Sequence, residues 1–351
     1  MYRFFFFLFT VLCTMNVFLI SSAEAALIST RQEIGMGRQL AEQVEKQYKV
    51  TDNIELQQRV EIIGKRLAAV SERPDLPYTF KVLDADEVNA FALPGGFIYI
   101  FRGLTDYMQT DDELAGIIGH EIGHAVKRHS MAQLEKTLGT AVLFGFAFGS
   151  KGLEAQLIAL NAVTAGYSRD DERTADRLGF EESLKAGYNP YSMLVGLMKL
   201  EQLHPGYQTD LFSDHPDTQQ RIELMKKYMK KAGIHPIAWE KDGAAFVGER
   251  EAILPPVQGD EDQLTPLMRA CFIAGRLYPL TKVPEKYDRD HYIMDTDGKG
   301  ISLYYENQYL LTVSEQDAAL AGIRQSALAQ ACLRELEKWT VQSLPESGTG
   351  R

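Results

Sequence analysis

Positive charge is in deficit in this 351-residue chain: 37 Lys and Arg stand against 48 Asp and Glu, a formal net charge of −11. A surface of that sign repels a phosphate backbone, which excludes sequence-independent nucleic-acid binding as a function class. The acidic residues are spread along the chain and form no tail. Cysteine is scarce as well, with three residues at 13, 271 and 332. None has metal-ligand spacing, so a thiolate zinc site is excluded. Cys271 and Cys332 leave two readings open, one disulfide in an exported chain or two unpaired buried thiols. No internal repeat and no low-complexity segment is present. Beyond the N-terminus, the apolar run Gly139 to Gly149 is too short to span a bilayer. It reads as a buried hairpin tip, or more sharply as a cover over a cleft or a loop touching a membrane surface.

What is present is the composition of a globular protein, 45% hydrophobic and 24% charged, long enough for one large domain and a smaller one. The N-terminus differs from the rest. Arg3 precedes an uncharged run from Phe4 to Ile20, and Ala23-Glu24-Ala25 supplies small residues at cleavage-site spacing. This reads as a signal peptide over 1–25, with a retained membrane anchor as the alternative. Cys13 has no small residue before it, against a lipoprotein signal. An exported protein of the periplasm or cell envelope is the expectation.

The most informative stretch is His120-Glu121-Ile122-Gly123-His124, an H-E-x-x-H sequence. Histidines four apart on a helix share a face and can reach one metal ion. A glutamate between them is placed to take a proton from water, the arrangement of a zinc peptidase. Thr110-Asp111-Asp112-Glu113 forms a capping box that starts a helix just upstream. Leu114, Ile117, Ile118 and Ile122 then give it an apolar face.

A catalytic zinc takes three protein ligands and keeps one position open. A histidine six residues beyond His124 would complete one type of site, but Ser130 stands there and Lys127 replaces the glycine that type requires. His129 is one residue off, and on a continuous helix it points elsewhere. Glu172-Arg173-Thr174-Ala175-Asp176 offers the other solution, with Glu172 as ligand and Asp176 one turn on, able to accept a hydrogen bond from a ligand histidine. Alone, a Glu and an Asp four apart are more often a solvated face.

Around these motifs, helices are expected through residues 26 to about 70. Strands follow at Tyr78–Leu83, Asn89–Leu93 and Phe97–Ile100, with a turn at Pro94-Gly95-Gly96, and helices run from Met131 to Lys231. Polar, proline-marked sequence from Gly233 to Asp262 reads as a linker. A hairpin around Glu306-Asn307-Gln308 and one final helix capped by Ser314, with Leu328, Cys332, Leu336 and Trp339 as its stripe, suggest a small α+β unit. Asp295, Asp297, Gly300 and Glu306 match positions of a calcium loop, but Lys299 interrupts them, and Asp297-Gly298 reads better as a hairpin turn. The boundaries expected are 26–235 for the main domain, 236–268 for the linker and 269–345 for the C-terminal unit.

Together, Asn89-Ala90-Phe91-Ala92 with Pro94-Gly95-Gly96, the H-E-x-x-H, Ser168-Arg169 with Glu172 to Asp176, and His215-Pro216 followed by Arg221 resemble the HtpX/BepA type of zinc metallopeptidase, related to the CAAX prenyl proteases. The resemblance covers roughly residues 30 to 230. It implies an α+β, mainly helical, zincin-like and gluzincin-like domain with a small sheet beside the active-site helix. It implies one zinc ion per chain held by His120, His124 and Glu172, with Glu121 as general base. It places His215 near the metal, as oxyanion donor or as a fourth ligand closing the site; the plainer reading is a helix-start residue. Arg221 would pair with a carboxylate or stand as a solvated charge. Asn89, Ala90 and Phe91 would form an edge strand taking an extended peptide. The function implied is a zinc endopeptidase acting on unfolded or misfolded envelope proteins. The alternative is a latent, chaperone-like zinc module closed by His215. The C-terminal part departs from better-known relatives, which often carry helical repeats there.

Overall fold

The computed structural model describes residues 28–139, 157–161, 166–203, 218–249, 251–259, 264–282, 288–296 and 300–343. The leader 1–25, the run Gly139 to Gly149 beyond its first residue, and His215 lie outside the described residues. Two helices open the fold, α1 (Thr30–Gln47) and α2 (Ile54–Ala68), each begun by a side-chain cap, Ser29 and Asn53. Three strands follow, β1 (Thr79–Leu83), β2 (Ala90–Leu93) and β3 (Phe97–Phe101). Their order is β1-β3-β2, with β1 parallel and β2 antiparallel to β3, so β2 lies at an edge. The β2–β3 turn needs Gly95 and Gly96 at φ 79° and 88°.

After the short α3 (Arg102–Tyr107), the capping box of Thr110 and Glu113 starts α4 (Asp111–Lys127), as the sequence predicts. Glu113 also meets Lys199 at 2.7 Å, both fully buried, which ties the start of α4 to α7 (Ser192–Leu203). The helix does not continue past Lys127. Arg128 takes φ 59°, a left-handed turn, and α5 (His129–Leu138) leaves in a new direction. Next come α6 (Arg169–Lys185), begun by a capping box of Ser168 and Asp171, and α8 (Thr218–Lys231). Val60, Ile63, Phe80, Ile98, Leu114 and Ile118 form one core between α2, the sheet and α4.

The described residues of 236–268, a stretch expected to link two units, are folded. They hold the antiparallel hairpin β4 (Ile237–Lys241) and β5 (Ala244–Gly248), and residues 253 and 257 donate backbone hydrogen bonds back to Val247 and Ala245. The polar composition misleads here because the burial is confined to a few apolar side chains: Ala245, Val247, Leu254 and Val257 are buried, while Ile237, Glu240 and Lys241 of β4 are exposed. They join a core that runs from Tyr191, Leu194 and Met225 through α9 (Pro266–Leu277) to the three-stranded sheet β6 (Tyr292–Thr296), β7 (Ile301–Tyr305) and β8 (Gln308–Val313).

The β7–β8 turn at Glu306-Asn307 is as predicted. Asp295 lies on strand β6 and Glu306 pairs with His291 at 3.0 Å, while the expected Asp297-Gly298 turn lies outside the described residues. The predicted final helix is two, α10 (Glu315–Ala321), stopped by Gly322 at φ 65°, and α11 (Gln325–Ser343). Asp317 caps α10 and also pairs with Arg269 of α9. Cys271 and Cys332 are both free and buried, which corrects the disulfide alternative. No helix among the described residues is long and apolar enough to cross a membrane.

Candidate metal centre

The centre lies where α4 crosses α6. This crossing is unusually close, and small residues permit it. A Cβ added at Gly179 would lie 2.7 Å from the backbone nitrogen of His120, one at Gly119 3.1 Å from the backbone of Gly179, and one at Gly123 3.0 Å from that of Ala175. The glycine seam brings the first half of α6 against the histidine face of α4.

His120, His124 and Glu172 therefore converge. Their nearest donor atoms are His120 Nε2 to His124 Nε2 at 3.0 Å, His124 Nε2 to Glu172 Oε1 at 3.3 Å and His120 Nε2 to Glu172 Oε2 at 3.5 Å. Donors about 2.0–2.1 Å from a tetrahedral zinc stand about 3.3 Å from one another. The three residues thus fit the ion in both chemistry and spacing, and they form the one such cluster among the described residues. All three are buried.

Each group around this trio has a partner. His120 Nδ1 lies 2.9 Å from Asp176 Oδ1, the contact that fixes Nε2 as the lone-pair nitrogen. Arg221 of α8 donates to both oxygens of Asp176, at 2.8 and 2.6 Å, and its Nη1 reaches Glu172 Oε2 at 3.0 Å. This arginine is buried, so the solvated-charge reading does not hold. Burial alone would raise the Asp176 carboxyl, but Arg221 and His120 bring it down to about 2. Burial lowers both His120 and His129 from the ordinary imidazole value, which favours the neutral rings that a metal requires. Glu121 is buried one position after His120, and its carboxylate, after those of Asp176 and Glu172, adds to the field that keeps Arg221 charged.

Two expectations need correction. His129 does not point away. Five residues along a continuous helix would place it about 140° from His124. The left-handed turn at Arg128 instead folds it back until its Nδ1 is 2.9 Å from His124 Nδ1. Periodicity could not reveal this, because the helix stop at Arg128 carries no glycine or proline signal.

The second concerns the edge strand. The Phe101 N–H donates to the Asn89 carbonyl, so by alternation Asn89 and Phe91 turn their backbone groups toward β3, and Ala90 and Ala92 turn theirs outward. The Phe91 side chain is packed, stacked on Tyr99. The Ala92 carbonyl already accepts from the Ser130 hydroxyl at 2.6 Å. Tyr167, whose hydroxyl is 3.0 Å from that of Ser130, lays its ring on His124 with centroids 3.9 Å apart.

A helix presenting two imidazoles and a glutamate, met by a carboxylate from a second helix beside a small sheet, defines the class of zincin-like metallopeptidase domains. The chain matches peptidase family M48 over residues 55–229, and residues 251–343 match a domain of unknown function, DUF8459. The metalloprotease YcaL of Escherichia coli is 30% identical over 175 residues, 46% of this chain and 68% of that protein. The metalloprotease LoiP of the same organism is 31% identical over 165 residues, 45% of this chain and 65% of that protein. The beta-barrel assembly-enhancing protease of Yersinia pestis is 26% identical over 262 residues, 70% of this chain; the chain spans about half of its length, 53%. This chain belongs to peptidase family M48.

Proposed function

We propose that this protein is a zinc-dependent endopeptidase, exported to the periplasm or cell envelope, that hydrolyses peptide bonds in unfolded or misfolded envelope proteins. The observation that carries the reading is the convergence of His120, His124 and Glu172 at the donor spacing of a tetrahedral ion. When bound there, zinc supplies a Lewis acid that polarises the scissile carbonyl and acidifies water.

The chain's own residues do the rest. Glu121 takes the proton of the attacking water and returns it to the departing amine. Asp176 and Arg221 hold His120 and Glu172 in place, so the donor atoms need no reorganisation when the ion binds. The outward backbone groups of Ala90 pair with an extended peptide, recognition that reads main chain and therefore suits unfolded clients. His215 donates to the oxyanion of the tetrahedral intermediate. Export rests on the leader over 1–25. The name of the Yersinia pestis relative, which speaks of beta-barrel assembly, is in keeping with clients of that compartment.

The test is cleavage of casein by the zinc-loaded protein. Wild type is expected to cleave, and Glu121→Gln to lose about a thousandfold or more in kcat while still binding zinc. His215→Ala is expected to lose about a hundredfold in kcat. Activity that appears only in His215→Ala would overturn this reading in favour of a latent module.

A further inference from the structure

The two ligand histidines are held differently. His120 Nδ1 meets a carboxylate directly, that of Asp176. His124 Nδ1 meets another imidazole, His129, at 2.9 Å, and the far nitrogen of His129, Nε2, lies 3.3 Å from Asp171 Oδ1. We infer that His129 and Asp171 form a positioning relay, in which Asp171 sets the tautomer of His129 and His129 in turn sets that of His124. The inference rests on the zinc reading of His120, His124 and Glu172.

The tautomers follow from the acceptors. Asp171 is a carboxylate and only accepts, so His129 turns a protonated Nε2 toward Oδ1, 3.3 Å away. That leaves a lone pair on His129 Nδ1. His124 must then carry its proton on Nδ1 and donate it to His129. The lone pair of His124 consequently lies on Nε2, the nitrogen that faces His120 and Glu172. A reversed chain would put a proton where the metal belongs.

The relay is built into the fold at both ends. Asp171 divides its oxygens: Oδ2 caps α6 by accepting from the backbone N–H and the hydroxyl of Ser168, and Oδ1 faces His129. The helix that delivers Glu172 is thus capped by the residue that orients His124. At the other end, the left-handed Arg128 is held by an ion pair to Glu33 at 3.1 Å and by donation to the Ile28 carbonyl at 2.8 Å, which fixes the turn that returns His129 to the site. The Tyr167 ring closes over the same imidazole.

The experiment measures zinc dissociation constants by competition with a chromophoric chelator, and the visible absorption of the cobalt-substituted protein, for wild type and three variants. His129→Leu fills the space but cannot accept a hydrogen bond, and is expected to weaken zinc about 10–100-fold and alter the cobalt bands. His129→Asn puts an amide oxygen where Nδ1 stood and is expected to recover most of the affinity and the wild-type spectrum. Asp171→Asn is isosteric and can still cap α6 through its oxygen while facing a donor toward His129; it is expected to weaken zinc several-fold.

Thermal unfolding of the metal-free proteins identifies any variant that has lost its fold, in which case the isosteric Asp171→Asn decides. The inference is overturned if folded His129→Leu binds zinc within about twofold of wild type, or if His129→Asn binds as weakly as His129→Leu. If wild type takes up no zinc at all, the metal reading itself fails and the relay falls with it.

Discussion

The two ends of helix α6 carry buried glutamates in opposite surroundings. Glu172, in the first turn, is fully buried and meets His120, His124 and Arg221 within 3.5 Å. Glu182, near the last turn, is 1% exposed, and neither of its oxygens has a hydrogen-bond partner among the described residues. Burial pushes the Glu182 carboxyl up to about 8, with Glu72 and Glu181 adding to the rise against Lys185 and Lys127. Asp176, one turn from Glu172, is as deeply buried and stands at about 2. One helix therefore holds an ionised carboxylate at one end and a protonated one at the other. Burial is common to both. What differs is whether neighbouring elements bring a counter-charge, and α8 brings Arg221 to one end only.

Removing that counter-charge should have the largest effect on stability. Arg221→Leu leaves Glu172 and Asp176 buried without it and is expected to cost the zinc-free protein about 3–5 kcal/mol, read by urea unfolding. A loss under about 1 kcal/mol would show that the two ends of α6 do not differ in the way the contacts indicate.

The middle of the helix comes next. Gly179→Ala places a methyl group 2.7 Å from the backbone of His120 and forces α4 and α6 apart. It is expected to cost about 1–3 kcal/mol and to weaken zinc, because the ligand spacing depends on that crossing. Unchanged zinc affinity would separate the helix crossing from the ligand geometry.

The far end gives the most gradual effect. Glu182 is raised above its ordinary 4.5, so the folded protein holds this proton more readily than the unfolded chain does. Its contribution is intact below about 4.5 and is lost as pH rises through about 8. Wild type should lose stability across that window with a slope of at most about 1.4 kcal/mol per pH unit. Glu182→Gln, neutral throughout, should flatten that slope, and the comparison is a set of urea midpoints against pH. Asp176 has the opposite sign: its stabilisation is present above the ordinary carboxylate value and is lost only as pH falls through about 2.

The legible parts of this molecule were local ones. The Thr110–Glu113 and Ser314–Asp317 boxes start helices where the spacing said they would, and the alternation at Tyr78–Leu83 and Phe97–Ile100 gives strands to within a residue or two. The errors share a cause. At 236–268, Pro236, Glu240, Lys241 and Asp242 interrupt a short hairpin whose buried side chains, Ala245 and Val247, are recognisable only once α9 is seen to cover them. The sequence pattern after Ser314 runs two helices into one because Gly322 lies among residues of helical type. Which of Asn89, Ala90 and Phe91 turns outward is not legible locally, because strand order and hydrogen-bond phase, which decide direction, are properties of the sheet.

By itself, the sequence determined the kinds of group available for chemistry: two imidazoles one helical turn apart, a glutamate between them, and a carboxylate pair downstream, each spacing set by the α-helical repeat. Only the tertiary structure decided how those groups meet. The approach of α6 to α4 along a glycine seam, the arrival of Arg221 from α8 and the return of His129 through a left-handed residue all relate segments whose relative placement depends on packing across the whole domain, and no local period encodes that.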